Sequence, residues 1–317
     1  MKDLLILLAV SMLTGLTGVI RAQEPNLSYR LHPGERYYLK SDLQQSTHSE
    51  SIDTEEISFY SLTGLEFLVD SLDGSGNYCL SANYRDLLIS MLAPRLDIDI
   101  NSASGKDRML TDMVKLLEQG SFHLVMTPRG ELKSVSGLDE LFAPLASNQA
   151  SDTTEQEVIR KSLEETYGPD ALRSQFNLFV WIYPVLNPMT NWTNDVSYYF
   201  NTKAVSMVNR YLVSRSTEAS VTIQGIGMLN STEEFFETTG LGDVKSSVNG
   251  SQTFDFQMNP ETGWLNRCVS RQRVIIETTI LKSSHLPTGL KIPSYTETVF
   301  EVTGGRLNPQ INSAKHE

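Results

Sequence analysis

Residues suited to acid–base or metal chemistry are few and scattered along this chain. Asp97 and Asp99 would place two carboxylates on one face of a predicted strand, as a bound cation or an acid–base pair requires. In an acidic chain the same pattern is also typical of a solvated strand face. His123 lies in an apolar strand pattern, where a hydrogen-bonded structural histidine is expected. We therefore predict no catalytic residue, no metal site and no cofactor.

Signature motifs of the common enzyme classes are missing from the sequence. It contains no G-x-S-x-G, H-E-x-x-H, G-x-x-x-x-G-K-[ST] or C-x-x-C pattern. Gly225 and Gly227 form a G-x-G without the third glycine, and they lie in an alternating β pattern rather than before a helix. These features favour a non-enzymatic protein. A hydrolase whose carboxylates follow no recognisable spacing is the alternative.

The sequence has two cysteines, Cys79 and Cys268, each within a strand pattern. In an exported protein they would be free to form a disulfide. Cysteines in strands are also often small buried residues. Pairing needs Cα atoms within about 7 Å of each other, which a sequence does not fix. Both alternatives stay open at this stage.

Residues 176–200 are unusually rich in aromatic side chains. They include eight aromatic residues, whereas the chain average of 9% predicts about two. Residues 178–183 are apolar all round a helix, a pattern that indicates burial on every side. The segment either fills the core between two parts of a sheet or lines a cavity for an apolar, amphiphilic or sugar ligand. The candidate ligand-binding residues are Phe176, Phe179, Trp181, Tyr183 and Trp192.

The N-terminus has the pattern of a secretory signal peptide. Lys2 precedes an apolar run from Leu4 to Ile20, and Ala22 offers a small residue for cleavage. We expect cleavage near Ala22 and a mature chain that begins at Gln23. An uncleaved anchor is the alternative, because a bilayer span takes about 17–25 residues. The expected location is periplasmic or extracellular, without a transmembrane span once the signal is removed.

Composition and charge narrow the range of partners. A chain of 317 residues with 40% hydrophobic residues is long enough to bury a large core without disulfides or metals. A net charge of −12 lacks the basic footprint that phosphate binding requires, so no nucleic-acid partner is expected. The remaining partners are an apolar or amphiphilic ligand, or another protein of the cell envelope.

Periodicity predicts strands on both sides of a central helical region. Residues 37–44 alternate with a period of two, and residues 109–117 present one apolar helix face. We predict an α+β fold with a large curved antiparallel sheet in two pseudo-repeated halves, covered by central helices. The predicted divisions are a signal peptide (1–22), one domain (23–303) with halves at about 27–142 and 196–303 joined by a helical segment (150–190), and a flexible tail (304–317).

A repeated sequence pattern is the basis for predicting two similar halves. Residues 122–136 and 254–270 share Phe, Met, Pro, Gly, Leu, Val and Ser in the same order, each as strand, Pro-Gly turn and strand. Hairpins share such turn residues in any case, so coincidence is the alternative. Since several predicted strands precede each copy, we favour a pseudo-duplication.

Three stretches carry a resemblance to a known family. They are YRLHPGERY at 29–37, MTPRGELKSVSG at 126–137 and NPETG at 259–263. The chain resembles a family of exported bacterial proteins known only as a domain of unknown function. Since that family has no established activity, it implies no functional residues. In architecture alone the chain is also similar to periplasmic lipoprotein-carrier proteins, in which a curved sheet surrounds an apolar cavity.

Trp181 distinguishes the two interpretations of the aromatic segment. If protein covers its ring, Trp181→Ala should lower the free energy of unfolding by about 3–5 kcal/mol, as a core cavity does. If a ligand covers it, the same change should leave folding nearly intact and abolish binding of an apolar probe. Urea denaturation and probe titration of this variant separate the two. A variant unchanged in both would contradict the ligand-binding hypothesis for this segment.

Overall fold

A computed structural model describes most of the chain that follows the predicted signal segment. The predicted signal peptide and the aromatic residues 176–183 lie outside the described residues. The described residues are 27–49, 56–93, 96–101, 108–149, 152–170, 172–173, 190–200, 203–231, 234–239 and 242–307.

The described strands form one sheet of thirteen strands, and every pairing in it is antiparallel. The prediction of a large antiparallel sheet is confirmed. The strands are β1 (Arg36–Ser49), β2 (Ile57–Leu72), β3 (Tyr78–Ala93), β4 (Leu96–Asn101), β5 (Phe122–Met126), β6 (Leu132–Ser136), β7 (Asn191–Phe200), β8 (Lys203–Ser216), β9 (Val221–Ser231), β10 (Phe235–Thr239), β11 (Gly242–Met258), β12 (Leu265–Lys282) and β13 (Lys291–Leu307).

The strand order is β6-β5-β3-β2-β1-β13-β12-β11-β9-β8-β7, with β4 beside β3 and β10 beside β11. The first strands of the chain thus run from the centre of the sheet to one edge. The later strands run from the other edge back to the centre, where β13 pairs with β1. This pairing corrects the prediction of a tail from residue 304, because residues 304–307 hydrogen-bond along β1.

Three helices are described: α1 (Arg108–Gln119), α2 (Leu138–Gln149) and α3 (Thr153–Tyr167). Asp152 is the N-cap of α3, and its carboxylate accepts a hydrogen bond from the Thr154 amide at 3.1 Å. Helix α2 is not anticipated by the apolar periodicity. None of the described helices is long and apolar enough to cross a membrane.

The main hydrophobic cluster is shared by the sheet and the helices. Val114 and Leu117 of α1, Phe142 of α2 and Leu163 of α3 are buried in it together with side chains of both ends of the sheet. Two smaller clusters lie further along the strands, one around Val248 and one around Val244. The core therefore follows the long strands rather than forming one compact centre.

Residues 27–31 form an extended segment that we call the N-terminal strap. Leu27, Tyr29 and Leu31 are buried, whereas Ser28 and Arg30 are partly exposed, which is the alternation of a strand. The strap is buried although it pairs with no strand along its length. Its hydrogen bonds must therefore be satisfied by other parts of the fold.

The strap is held by two hairpin turns. The Tyr29 amide donates to the Pro128 carbonyl at 2.7 Å in the β5–β6 turn. The Arg30 amide donates to the Thr262 carbonyl at 2.8 Å in the β11–β12 turn. The guanidinium of Arg30 also donates to carbonyls of the second turn, including that of Glu261 at 2.8 Å from Nε. Adjacent residues of the strap thus bind turns from opposite parts of the sheet.

These bonds require a strongly curved sheet. Four strands separate β5 from β12, and a flat sheet would hold the two turns about 24 Å apart at 4.8 Å per strand. Consecutive Cα atoms of the strap are only about 3.8 Å apart. The sheet therefore curls at this end until both turns meet the same short segment.

A cluster of aromatic side chains fills the space beneath the turns. The Trp264 ring lies 4.6 Å from that of Tyr37, 5.6 Å from Phe67 and 5.7 Å from Tyr29, measured between centroids. Its Nε1 donates to the Tyr38 carbonyl at 3.1 Å. Trp264 thus joins the strap, β1 and β2 to the start of β12.

Cys79 and Cys268 are both free thiols. Cys79 lies on β3 and Cys268 on β12, with β2, β1 and β13 between them. A disulfide between them is not formed. Cys268 is fully buried and belongs to the main cluster, as a small apolar residue would.

The contact between the strap and the second turn can be tested at Gly263. Gly263 has φ +68°, and a Cβ built there would lie 2.1 Å from the Ser28 carbonyl oxygen. Gly289 has φ +83° with nothing within 4 Å, so it is a matched control. Gly289→Ala should cost about 1–2 kcal/mol for the left-handed conformation alone. Gly263→Ala should cost about 1–3 kcal/mol more because it overpacks the strap. Equal urea midpoints would contradict a tightly held strap.

Candidate functional site

Groups with obvious catalytic potential do not assemble into a site among the described residues. No cluster of three His, Cys, Asp or Glu in that part of the chain could hold a metal ion. Asp97 and Asp99 are placed by backbone pairing with Leu92 and Ser90 at the end of β3. Burial raises the pKa of the Cys268 thiol far above its ordinary value, so this sulfur stays protonated and is a poor nucleophile.

A row of stacked rings lines the inner face of the sheet, and we call it the aromatic wall. Trp192 on β7 stacks on its cross-strand partner Tyr211 on β8, with ring centroids 5.4 Å apart. Tyr211 lies 6.0 Å from Phe254 on β11, which in turn stacks on Phe256 at 5.5 Å. All four side chains are buried.

Two glycines of β9 allow this wall to be continuous. A Cβ at Gly225 would lie 2.7 Å from the Tyr211 ring and 3.0 Å from the Phe254 ring. Because β9 lies between β8 and β11, an ordinary side chain there would separate the two rings. The G-x-G of the sequence is therefore a packing device within a strand rather than a nucleotide-binding turn.

Gly227 likewise leaves space on β9, here for a row of amide side chains that we call the amide ladder. Gln272 on β12 donates from Nε2 to Oε1 of Gln252 at 3.2 Å. Gln252 on β11 donates from Nε2 to Oδ1 of Asn209 on β8 at 2.8 Å, passing over β9 at Gly227. A Cβ at Gly227 would lie 2.2 Å from that Asn209 oxygen.

The ladder ends in a group with no partner. Three buried polar atoms at this place have no hydrogen-bond partner within the described chain: Asn209 Nδ2, Tyr211 OH and Trp192 Nε1. The fourth such atom in the described residues, Thr111 Oγ1, lies on α1. Leaving a buried donor unsatisfied costs about 1–3 kcal/mol. Three such groups on two adjacent strands make this part of the sheet the candidate site of the described residues.

The electrostatic surroundings of the Tyr211 hydroxyl are uncharged. Burial is the main cause that raises its pKa, and the Cys268 thiol raises it further. The Asn209 side chain, which lies within reach of the hydroxyl without a fully formed hydrogen bond, lowers that pKa. The hydroxyl is therefore a protonated donor at neutral pH. No lysine, arginine or carboxylate of the described residues contributes to this shift.

An open concavity lies on the opposite face of the sheet. It is an open groove of about 410 Å³ across β3, β2, β1 and β13. Tyr60 lies in it, but its hydroxyl is already bound to the Asp42 carboxylate at 3.0 Å. The groove is thus a weaker candidate than the aromatic wall. Its lining also includes Gln44, Ser46, Ser58, Ser90, Leu92, Glu297 and Val299.

Of the five ligand-binding residues predicted from the sequence, the structure describes one. Trp192 lies in the aromatic wall, and Phe176, Phe179, Trp181 and Tyr183 lie outside the described residues. Tyr211 and Asn209 were not predicted. Two glycines in an otherwise alternating strand were the available signal, but a single strand does not reveal what its neighbours place above them.

Residues 75–265 match the family described as "Family of unknown function (DUF6263)". This confirms the resemblance to a family of unknown function. No curated protein matches the sequence.

Comparison with solved structures gives only distant likenesses. A structure of lipid–protein interactions in lipovitellin has 9% identity and a TM-score of 0.49 over 88% of this chain, which spans only 26% of the lipovitellin chain. OpdQ of Pseudomonas aeruginosa has 7% identity and a TM-score of 0.20, over 88% of this chain and 100% of its own. An outer membrane channel (COG4313) of Pseudomonas putida F1 has 8% identity and a TM-score of 0.17, over 89% and 99%. Likenesses of this degree say nothing about function.

Gly227→Ala tests the packing of the amide ladder. The new Cβ would meet Asn209 and Gln252, so we expect a loss of about 1–3 kcal/mol in the free energy of unfolding. Gly74 is a control, since a Cβ there would meet nothing within 4 Å. Gly74→Ala should be neutral or stabilising by up to about 1 kcal/mol. Similar urea midpoints for the two variants would show that the ladder does not depend on Gly227.

Proposed function

We propose that this chain, which belongs to the DUF6263 family of unknown function, is a non-enzymatic protein that binds an apolar or amphiphilic ligand against the aromatic wall. The proposal is carried by one observation. Buried hydrogen-bonding atoms of Trp192, Tyr211 and Asn209 stand among aromatic rings without partners. Apolar walls with a few convergent polar groups are typical of small-ligand sites.

A ligand would supply both an apolar surface against the rings and hydrogen-bond acceptors for the donors. Its hydrocarbon part would lie against the rings of the aromatic wall, and its polar end would accept hydrogen bonds from the unpartnered donors. A hydrolase with an unrecognised carboxylate site has no such support in the described residues.

We extend the proposal to the origin of the two hairpins, to the position of the helices and to export. We propose that the two hairpins derive from a duplication, since both turns contain a glycine with positive φ, Gly130 at +85° and Gly263 at +68°. We also propose that the central helical region covers the inner face of the sheet, as the shared hydrophobic cluster suggests. Export with cleavage near Ala22 would place the ligand site outside the cytoplasm.

A second candidate function is interaction with another envelope protein. Ile226 and Met228 lie on the outer face of β9 and are 54% and 53% exposed. Leu212 on the neighbouring β8 is 49% exposed. Adjacent exposed apolar side chains favour a protein contact on this face. Ligand binding on the inner face and protein contact on the outer face are compatible.

Titration with the uncharged fluorescent probe N-phenyl-1-naphthylamine tests the ligand-binding proposal. The folded full chain should bind the probe saturably with increased emission. Tyr211→Leu should weaken this binding about tenfold, because it removes one ring of the wall while keeping an apolar side chain.

Leu212→Ala is the matched control, since the adjacent side chain points to the other face and is exposed. It should change probe affinity by less than about twofold. Circular dichroism establishes that each variant is folded, and Trp192→Phe replaces Tyr211→Leu if that variant is not. Absence of saturable binding to the folded wild-type chain would contradict the proposal.

A further inference from the structure

The amide ladder has a direction. Gln272 donates to Gln252, and Gln252 donates to Asn209, so each amide accepts at its oxygen and donates at its nitrogen toward β8. Gln252 Nε2 also contacts Met207 Sδ. Chains of hydrogen bonds polarise one another, which strengthens the donor at the open end. That open end is Asn209 Nδ2.

The other two unpartnered atoms extend the same donor set. Trp192 Nε1 can only donate, and the Tyr211 hydroxyl donates a proton and can also accept one. Trp192 and Tyr211 are direct cross-strand partners, and Asn209 lies two residues from Tyr211 on the same face of β8. The three donor residues are thus neighbours on one face of β7 and β8. A matching ligand must offer acceptor atoms there.

The surroundings of these donors exclude a charged partner. The ion pairs among the described residues involve partly or fully exposed side chains, such as Arg267 with Glu301 and Arg273 with Glu297. Neither Asn209 nor Tyr211 takes part in one of these pairs. A carboxylate or phosphate in this place would lose its hydration without gaining a counter-charge, which costs several kcal/mol. A carbonyl oxygen would lose far less.

We infer that the ligand of the aromatic wall is an acyl chain whose head group is an uncharged carbonyl, such as an ester or an amide, bound by Asn209 Nδ2, Tyr211 OH and Trp192 Nε1. This rests on the proposed function and specifies its ligand class. The carbonyl oxygen accepts from the open end of the amide ladder, and the chain lies along the rings of the aromatic wall. Free fatty acids in their ionised form are discriminated against.

Competition against the bound naphthylamine probe tests this inference at pH 8. Methyl decanoate, decanoate and undecane have chains of similar length and differ in their polar end. Methyl decanoate should displace the probe at about tenfold lower concentration than either of the others, in keeping with one or two hydrogen bonds. Equal competition by undecane, as expected if water alone occupies the donors, would overturn the inference. So would stronger competition by decanoate.

Variants of the donor residues test whether the preference for the ester depends on their hydrogen-bonding atoms. Tyr211→Phe should reduce the advantage of the ester over undecane about fivefold, while undecane itself binds as before. Tyr78→Phe is the matched control, because the Tyr78 hydroxyl is occupied by the Tyr29 carbonyl at 2.8 Å. It should leave the preference unchanged. If Tyr211→Phe does not fold, Trp192→Phe tests the same donor set while keeping a ring in place.

The two proposals fail in different ways. If the wild-type chain does not bind the probe at all, the proposed function is wrong. If the probe binds and the three competitors are equivalent, ligand binding stands and the carbonyl head group is wrong. An ester preference that survives in both Tyr211→Phe and Trp192→Phe would also overturn the assignment to these donors.

Discussion

The curvature of the sheet depends on the bonds between the N-terminal strap and the two hairpin turns. Consecutive amides of Tyr29 and Arg30 bind the β5–β6 turn and the β11–β12 turn, which a flat sheet would keep far apart. Antiparallel strands twist and coil by themselves, but they do not fix how far a large sheet closes. The strap sets that degree of closure at one end, and Trp264 fills the space that results.

Curvature gives the sheet an inside, and this creates the candidate site. Because the sheet is curved, side chains of β7, β8, β9 and β11 share one hydrophobic cluster on its inner face. Gly225 and Gly227 then remove the side chains of β9 where rings and amides of its neighbours must meet. The aromatic wall and the amide ladder therefore depend on two missing side chains as much as on those present.

The unpartnered donors connect this packing to function. Other buried polar side chains of the sheet are satisfied locally, as Ser246 is by Thr278 and Thr296 is by Thr47. Asn209 is an exception, together with Trp192 and Tyr211, since the ladder uses its oxygen and leaves its nitrogen open. A protein without a ligand could replace these side chains by apolar ones at little cost. Their presence is the observation on which the proposed ligand rests.

The sequence by itself determined the class of fold and several local features. Alternation along the strands, the Asp152 helix start and the glycines of both turns follow from near-neighbour preferences that any segment carries within itself. It also determined that Trp192 belongs to an aromatic region and that Gly225 and Gly227 lie in a strand. Resemblance to a family of unknown function rested on the same local turn motifs.

Tertiary structure alone decided which distant residues meet. The N-terminal strap was not predicted from the sequence, because its hydrogen-bond partners are about 100 and 230 positions away. Pairing over such distances leaves no local sequence pattern. The extension of β13 to Leu307 was missed because residues 304–307, two glycines, an arginine and a leucine, show no apolar alternation and are held by pairing with β1. Tyr211, Asn209 and Gln252 form a site only once β8, β9 and β11 are adjacent. The register between neighbouring strands brings these side chains together, and the sequence of one strand does not encode that register.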